Sequence, residues 1–329
     1  MRDGLVEWAI LGTGGIVRSG FLPALAQAAG GHVAVIASRD AARAAEMARH
    51  YGIARAYGDY RAVLADDRID AVYIALPNAL HLPWVLACVA AGKAVLCEKP
   101  LTLQAVETEQ IGESSRAQRV PVWTAYAFRF HLQWRRVREA VQGGQIGRVQ
   151  TIYGTFTTRL QRQDDIRWQG VLGGGALWDL GCYPVHLASG LLAEAPVQAV
   201  AQARWRGDVD QATSAILRYP SGAELIMHVA FDRSFDAFTR IVGDAGEIRL
   251  QNPYHPRGVD EVQFRTGSGV NRHRWAHDTP SFVEMLTHIH RALHGQDSPR
   301  ETVSESEVNT ARGLDLIRAA MTRGRSSPA

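Results

Sequence analysis

The sequence predicts a two-part α/β protein, with an N-terminal doubly wound parallel sheet and a C-terminal α+β domain that has a large, open, mostly antiparallel sheet. Up to about residue 125, short apolar runs alternate with longer segments of helical period, which is the pattern of βαβ units. A glycine-rich turn follows the first apolar run. From about Gly147 the runs lengthen and alternate with polar residues, as in strands with one solvated face.

The length supports this division. A chain of 329 residues exceeds what one hydrophobic core usually holds, so we place domains at 1–125 and 126–329, with a C-terminal helix free to pack back on the first. The first domain is predicted to have strands over 6–11, 32–37, 71–76, 94–97 and 120–125, and helices over 15–29, 41–51, 80–91 and 103–118. The second is predicted to have strands over 149–157, 198–205, 212–219, 223–231 and 239–242, a glycine-led helix near 175–191 and two final helices.

Composition excludes several classes of protein. The net charge is +3 and the arginines are dispersed, which indicates neither a nucleic-acid partner nor a membrane surface. The three cysteines have no paired or CxxC spacing, which argues against a disulfide framework and a thiolate metal site. Because no apolar stretch approaches the roughly 20 residues of a membrane-spanning helix and no signal peptide is recognisable, we expect a cytoplasmic enzyme.

The glycine-rich turn lies between the first strand and the first helix, which is the context that a dinucleotide fingerprint of the Rossmann type requires. Gly12 and Gly14 permit a tight turn and the close approach of a pyrophosphate to N–H groups at the helix N-terminus. Val17 occupies the position of the third glycine and departs from the fingerprint. The residues expected to contact the cofactor here are Gly12, Thr13, Gly14, Gly15 and Ile16.

The end of the second predicted strand indicates which nicotinamide cofactor is used. Ser38 and Arg39 can both contact a 2′-phosphate, which favours NADP. Asp40 leaves NAD as the alternative, because an acidic residue here could accept from ribose hydroxyls. Asp40 is also a natural N-cap for a helix that begins at Ala41.

Three further motifs follow in order. They are Leu-Pro-Asn-Ala-Leu-His at 76–81, Glu98-Lys99-Pro100 after the fourth strand, and Gly-Gly-Gly-Ala-Leu-Trp-Asp-Leu-Gly-Cys-Tyr at 173–183. With the glycine loop, they make almost the whole chain resemble the Gfo/Idh/MocA oxidoreductases, the family of glucose-fructose oxidoreductase and inositol dehydrogenase. Tyrosine at 183, four residues after Asp179, resembles the NADP-dependent xylose dehydrogenase and dihydrodiol dehydrogenase branch. The resemblance implies NAD(P)-dependent oxidation or reduction of sugars, polyols or cyclic alcohols, and a homodimer or homotetramer formed through the C-terminal sheet.

The resemblance also implies the catalytic residues. Lys99 would be the catalytic lysine, and Pro100 biases it toward an extended conformation. Tyr183 would be the acid/base group, with Asp179 orienting the reacting group from the same helical face. Pro184 lacks the N–H that would bond the Leu180 carbonyl, so we expect the helix to be kinked or to begin nearby. The role of His186, on the next turn, stays open.

Other residues are expected to complete the binding sites. Further cofactor contacts are assigned to Leu76, Pro77, Asn78, His81, Glu98, Lys99, Arg167 and Trp168. Substrate contacts are assigned to Lys99, Tyr126, Arg129, Trp168, Asp179 and Tyr183. No metal is expected, because the pairs His273/His277 and His290/His294 have ligand spacing without a third partner.

The sequence therefore favours an aldose 1-dehydrogenase or a dihydrodiol dehydrogenase. Two alternatives stay open: a redox-assisted glycosidase or internal oxidoreductase with tightly bound NAD, and a non-catalytic nucleotide-sensing regulator.

Overall fold

The protein is described by a computed structural model that covers residues 4–256, 260–274, 279–297 and 303–323. The chain divides into two compact units. Unit 1 is built from Met1–Thr102, Val106–Phe130 and Pro280–Ser304, and unit 2 from Leu103–Ala105, His131–Thr279 and Glu305–Ala329. The boundary that we expected after residue 125 stays a prediction.

Unit 1 contains a six-stranded parallel sheet. Its strands are β1 (Val6–Leu11), β2 (Gly31–Ala37), β3 (Arg55–Tyr57), β4 (Ala71–Ile74), β5 (Ala94–Cys97) and β6 (Val122–Thr124). The order β3-β2-β1-β4-β5-β6 reverses direction beside β1, which confirms the predicted doubly wound sheet. β3 was not predicted, since its three residues are too few to show a period.

The helices between these strands are α1 (Leu22–Leu25), α2 (Ala41–Tyr51), α3 (Arg61–Leu64), α4 (His81–Ala90) and α5 (Ala105–Gln118). Single 3-10 turns cover Asn78–Leu80 and Ala127–Phe130. α2 has the predicted bounds, and the Asp40 carboxylate caps it by accepting from the Arg43 N–H at 3.1 Å.

The first helix differs from the prediction of one regular helix over 15–29. A π-helical turn covers Val17–Phe21, and α1 ends at Leu25. Pro23 has no N–H to donate to the Ser19 carbonyl, so the normal α-helical hydrogen bond is lost at this point.

Unit 2 is built on an eight-stranded sheet. Its strands are β7 (Val149–Arg159), β8 (Gln198–Arg206), β9 (Val209–Arg218), β10 (Glu224–Ala230), β11 (Asp232–Gly243), β12 (Gly246–Gln251), β13 (Glu261–Thr266) and β14 (Gly269–Arg274). The order is β14-β13-β12-β11-β7-β10-β9-β8, and all neighbours are antiparallel except β7 and β10. The predicted large, mostly antiparallel sheet is confirmed. β12, β13 and β14 were not predicted, because arginine and glutamate interrupt their apolar residues.

Helices α6 (Leu132–Gln142), α7 (Cys182–Leu192) and α9 (Glu305–Arg323) belong to unit 2, while α8 (Ser281–Leu293) belongs to unit 1. α6 was not predicted. A π-helical turn at Leu177–Gly181 leads into α7, and Pro184 lies in the first turn of that helix, as the missing N–H led us to expect.

α8 is joined to the parallel sheet by a buried histidine. His290 accepts from the Trp8 indole N–H at 3.0 Å through Nε2 and donates to the Ala29 carbonyl at 2.7 Å through Nδ1. Both ring nitrogens are therefore used within unit 1. Burial lowers the pKa of His290, which fits the neutral tautomer that these two bonds require.

Among the described residues, no helix combines the length and the apolar character needed to cross a membrane. Cys88, Cys97 and Cys182 are free and buried.

Candidate functional site

The glycine loop lies where the carboxyl ends of β1 and β4 meet. Gly12 has φ +107°, and a Cβ atom on it would come within 2.4 Å of the Ala75 carbonyl oxygen. Glycine is therefore required at 12, both for the backbone conformation and for the close approach. Gly14 and Gly15 are exposed, and a Cβ on either would meet nothing closer than 3.8 Å. Their backbone is therefore accessible to a ligand.

Val17 explains the departure from the glycine fingerprint. Its side chain is completely buried and belongs to the apolar core formed by the sheet, the first helix and α8. The third position thus contributes packing rather than ligand contact. Ile16, one residue earlier, is exposed at the edge of the loop.

Three polar residues at the end of β2 bear on cofactor choice, and each has different surroundings. Ser38 is buried, and its Oγ accepts from the Asp40 N–H at 3.2 Å. Arg39 is exposed, so its guanidinium is accessible to an anion. Asp40 is the N-cap of α2, as predicted, and is used for that purpose within the protein.

His81 connects the turn after β4 to the turn after β5. The imidazole is fully buried, with Nε2 3.0 Å from the Leu76 carbonyl oxygen and Nδ1 2.8 Å from that of Pro100. Burial lowers the pKa of His81. Because the ring nitrogens face backbone carbonyls, the observed role of His81 is to hold two loops together, and the expected cofactor contact stays a prediction. Pro77 and Asn78 are half-buried beside it.

The Lys99 turn is fixed by a tyrosine that the sequence analysis missed. Tyr73, in the middle of β4, donates its hydroxyl to Glu98 Oε1 at 2.7 Å, and the Lys99 N–H lies 3.3 Å from Glu98 Oε2. Glu98 is buried, whereas Lys99 is half-buried. The signal in the sequence was a tyrosine inside an apolar parallel strand, where a buried hydroxyl needs a partner.

The segment after β6 is largely buried. Trp123 and Phe128 are in the core, and Tyr126 is also buried with its ring 6.3 Å from that of Phe128. Arg129 is half-buried. The substrate contacts expected of Tyr126 and Arg129 stay predictions.

In unit 2, Arg167 holds Asp179. Arg167 Nε donates to Asp179 Oδ2 at 2.7 Å, and Arg167 Nη1 lies 3.2 Å from Asp165 Oδ1. The Asp179 carboxylate makes the largest contribution and the Asp165 carboxylate a smaller one to raising the pKa of Arg167 above its ordinary value, so the guanidinium stays charged. The sequence had assigned Arg167 to the cofactor and Asp179 to catalysis separately, and only the structure brings them together.

The glycine triplet makes this pairing possible. The Gly175 N–H donates to the Arg167 carbonyl at 2.9 Å, and a Cβ on Gly174 would come within 2.5 Å of the same oxygen. Gly175 has φ +117° and faces Asp210, whose Oδ1 would lie 2.2 Å from a Cβ. A side chain at 174 would therefore collide with the Arg167 backbone, and one at 175 would collide with the Asp210 carboxylate.

Asp210 is a buried carboxylate that sequence reasoning missed. Its Oδ2 accepts from the Leu177 N–H at 2.8 Å and from the Thr213 hydroxyl at 2.6 Å, so it caps the helical segment that carries Asp179. Burial raises the pKa of Asp210 to about 6.

Tyr183 lies in an aromatic cluster. Its ring centroid is 5.3 Å from that of Phe156, 5.5 Å from that of Tyr254 and 5.4 Å from that of His255. Tyr254 is buried and shares a 3.1 Å hydrogen bond with Thr239, whereas His255 is exposed. Tyr254 and His255 follow the unpredicted β12, which is why the sequence did not connect them with Tyr183.

His186, whose role the sequence left open, and Trp168, an expected site residue, both have partners within the protein. His186 is buried, with Nδ1 2.9 Å from the Thr310 hydroxyl on α9. Trp168 donates its indole N–H to the Arg162 carbonyl at 3.0 Å, and the Arg206 guanidinium lies 4.1 Å from the ring centroid. Stacking of Trp168 on a sugar stays a prediction.

Within the described ranges, no group of three or more His, Cys, Asp or Glu side chains could hold a metal ion. Of the histidines considered as ligands, His277 lies outside the described residues, and both ring nitrogens of His290 are occupied.

Two models of known protein families match this chain. The family model described as the Gfo/Idh/MocA oxidoreductase family with an NAD-binding Rossmann fold matches residues 6–126, and that of the Gfo/Idh/MocA C-terminal domain matches residues 134–249. Together they cover most of the chain and confirm the resemblance drawn from the motifs.

Individual relatives extend over nearly the whole chain. A D-xylose 1-dehydrogenase (NADP(+)) from Haloferax volcanii is 36% identical over 94% of this chain and 95% of its own length. A dTDP-3,4-didehydro-2,6-dideoxy-alpha-D-glucose 3-reductase from Streptomyces violaceoruber is also 36% identical, over 94% of each chain. The crystal structure of a 3-ketoreductase from Actinomadura kijaniata in complex with NADP and TDP-benzene has a TM-score of 0.87, with 27% identity over 96% of this chain and 98% of that one.

Asp210 gives a testable pH dependence. Its pKa in the folded protein, about 6, lies above the ordinary value of 3.8 expected in the unfolded chain, so between these values the folded state binds more protons than the unfolded state. The Asp210 contribution to the free energy of unfolding should therefore fall as pH rises, by up to about 1.4 kcal/mol per pH unit. In Asp210→Asn this contribution is absent, so the stability of the variant relative to wild type should increase from pH 4 to pH 6 in urea unfolding.

Asp208→Asn is the matched control, because Asp208 is exposed and two residues away. Its stability relative to wild type should be independent of pH over the same range. A difference between Asp210→Asn and wild type that is constant from pH 4 to pH 6 would contradict the assignment.

Proposed function

Because the chain belongs to the Gfo/Idh/MocA family of oxidoreductases, we propose that it is an NADP-dependent dehydrogenase acting on the carbinol carbon of an aldose or a cyclic diol. The observation that carries the proposal is Lys99 in a fixed turn at the carboxyl edge of the parallel sheet, the same edge that carries the glycine loop. In open α/β sheets this edge is where ligands bind.

The lysine at 99 is unusual in a chain whose basic residues are nearly all arginine. Of the 36 basic residues, only Lys93 and Lys99 are lysines, and the other 34 are arginines. Lys93 is buried and its Nζ donates to the carbonyls of Asp66 and Ile69. A guanidinium cannot lose a proton at usable pH, whereas an ammonium can, so a lysine at 99 fits proton transfer.

The residues of unit 1 fit a nicotinamide dinucleotide. The open backbone at Gly14 and Gly15 suits a pyrophosphate, and Gly12 permits the turn that exposes it. Ser38 and the accessible Arg39 suit a 2′-phosphate, while Asp40 is occupied as a helix cap. We therefore infer NADP rather than NAD. When bound, the cofactor would supply or accept hydride at C4 of the nicotinamide.

The protein residues would manage the hydroxyl proton of the substrate. We assign Tyr183 as the group that takes or returns this proton, and Lys99 as the group that relays it and, as an ammonium, stabilises the developing alkoxide. Asp179, paired with Arg167, would accept a hydrogen bond from the substrate and orient it. The aromatic cluster around Tyr183 excludes water from its ring and restricts its rotation.

A second candidate is reduction of a keto sugar carried on a nucleotide, favoured by the 36% identity to the Streptomyces violaceoruber reductase. The two candidates differ in the substrate and in the favoured direction, whereas the cofactor and the catalytic residues would be the same.

We also propose that the open face of the unit 2 sheet joins two copies of the chain. Helix α7 packs on the face that carries Gly154, and the opposite face presents a row of apolar residues across four strands. Register aligns these residues as Val200, Ile216, Ile226 and Tyr153, followed by Arg240. Arg240 and Arg249 both bond Glu247, giving the apolar row a charged border.

The main test is a panel of aldoses, polyols and cyclic diols with NADP and NAD, followed by absorbance of the reduced nicotinamide. With an active substrate, Lys99→Met and Tyr183→Phe should each lower kcat by about 10²- to 10⁴-fold, since each removes a proton-handling group. Tyr219→Phe, a buried tyrosine in the same unit, should keep kcat within about twofold. Parent activity in Lys99→Met would contradict the mechanism, and sugar conversion without net cofactor reduction would favour the glycosidase or internal oxidoreductase.

Cofactor preference can be tested at Arg39. Arg39→Ala should raise the KM for NADP by about 10- to 100-fold, the value of a charged hydrogen bond to phosphate, and leave the KM for NAD within about twofold. Arg49→Ala, an exposed arginine at the far end of α2, should change neither. Equal effects of Arg39→Ala on both cofactors would show that Arg39 does not read the 2′-phosphate.

The oligomer can be tested by light scattering coupled to gel filtration. The double substitution Ile226→Asp and Tyr153→Glu places two charges in the apolar row and should convert a dimer or tetramer to a smaller species. Val171→Glu, an exposed apolar residue outside the sheet, should leave the mass unchanged. A monomeric wild-type protein would exclude this interface.

A further inference from the structure

We propose that Tyr73 is a positioning residue for Lys99, and that it acts by fixing the carboxylate of Glu98 immediately before the lysine. The proposal rests on the proposed catalytic role of Lys99. It adds a residue from the middle of a neighbouring strand that no sequence motif connects with the lysine.

The two oxygens of the Glu98 carboxylate connect Tyr73 to Lys99. Glu98 Oε1 accepts from the Tyr73 hydroxyl at 2.7 Å, and Oε2 lies 3.3 Å from the Lys99 N–H. The Glu98 N–H donates to the Ile74 carbonyl at 2.9 Å, continuing the pairing of β5 with β4 by one residue. The carboxylate thus bridges a phenol on one strand and the backbone of the lysine that follows the next strand.

The position of the phenol is itself fixed. Tyr73 is fully buried, and its ring stacks on Phe21 with centroids 4.1 Å apart and an interplanar angle of 8°. Phe21 in turn meets Trp8 edge-on at 5.5 Å. Because Phe21 ends the π-helical turn after the glycine loop, the same stack ties that loop's helix to the lysine turn.

Glu98 also sets the charge beside Lys99. The adjacent titratable groups, Cys97 and His81, are fully buried, and burial raises the pKa of Cys97 and lowers that of His81, so both are neutral at pH 7. A buried carboxylate needs hydrogen-bond donors to stay ionised. Loss of the phenol should therefore change both the orientation and the charge of the group nearest to Lys99 in sequence.

The reactivity of the Lys99 amine can be measured directly, because Lys99 and Lys93 are the only two lysines of the chain. The rate of acylation of each amine by acetic anhydride, measured by peptide mass spectrometry against pH, gives an apparent pKa for Lys99 without any substrate. In Tyr73→Phe, which keeps the ring stack, we expect this pKa to move by about 0.5 or more. The Lys93 amine serves as the internal control and should not change.

Activity supplies the second measurement. Tyr73→Phe should lower kcat about tenfold and leave the KM for NADP within about twofold, as expected for a lost positioning contact. Tyr60→Phe is the matched control, since Tyr60 is a buried tyrosine of the same unit that packs edge-on against Trp84 at 5.0 Å. It should change neither kcat nor the acylation of Lys99.

A double-mutant cycle decides whether Tyr73 acts through Glu98. In a Glu98→Met background, which removes the acceptor, Tyr73→Phe should have no further effect on Lys99 acylation or on kcat. Additive effects, or an unchanged Lys99 pKa in Tyr73→Phe, would overturn the proposal. If Lys99→Met keeps full activity, the proposed function fails, yet the acylation result still decides the positioning of the lysine.

Discussion

The close approach of Gly12 to the Ala75 carbonyl is the constraint on which the rest of unit 1 depends. A Cβ atom at residue 12 would lie 2.4 Å from that oxygen, well inside van der Waals contact. The Ala75 N–H donates to Leu11 and the Gly12 N–H donates to Ala37, so the ladder of the sheet continues past the ends of the strands. As a result the glycine loop and the turns after β4 and β5 start from one continuous edge. Parallel pairing alone would bring the strand ends together, but the missing side chain lets their loops begin in contact.

Unit 2 uses the same principle at its glycine triplet. Gly174 and Gly175 allow the backbone at Arg167 to touch the start of the helical segment that carries Asp179, and the Arg167–Asp179 ion pair then closes the contact. Asp210 stabilises the N-terminus of that segment from the sheet side. In each unit, then, absent side chains determine where the charged side chains of the candidate site lie.

Both π-helical turns come shortly before a proline, Pro23 in unit 1 and Pro184 in unit 2. Each proline lacks the N–H that a regular helix would use, and the helix widens by one residue instead of ending. In unit 2 the wide turn carries Asp179 and directly precedes Tyr183. The spacing of four between these residues, read as one face of a regular helix, therefore crosses the junction of two helix types. A sequence pattern cannot show this, because it reports the spacing along the chain and not the hydrogen bonds.

The sequence by itself determined the class of both sheets, the glycine loop, the capping role of Asp40 and the family, because these depend on local patterns: hydrophobic period, residue spacing and the conformational freedom of glycine. It also predicted Lys99, Asp179 and Tyr183 as the catalytic residues. Only the tertiary structure decided which side chains support them. Tyr73 beneath Glu98, Arg167 against Asp179, and Tyr254 and His255 beside Tyr183 are pairs that come from different elements of one unit. The sequence can show that a buried polar group such as the Tyr73 hydroxyl needs a partner, but it does not show which residue that partner is, since the separation along the chain says nothing about which strands and loops become neighbours. The short and charged strands β3 and β12–β14 were missed for a related reason: their pairing comes from neighbouring strands and not from an apolar period of their own.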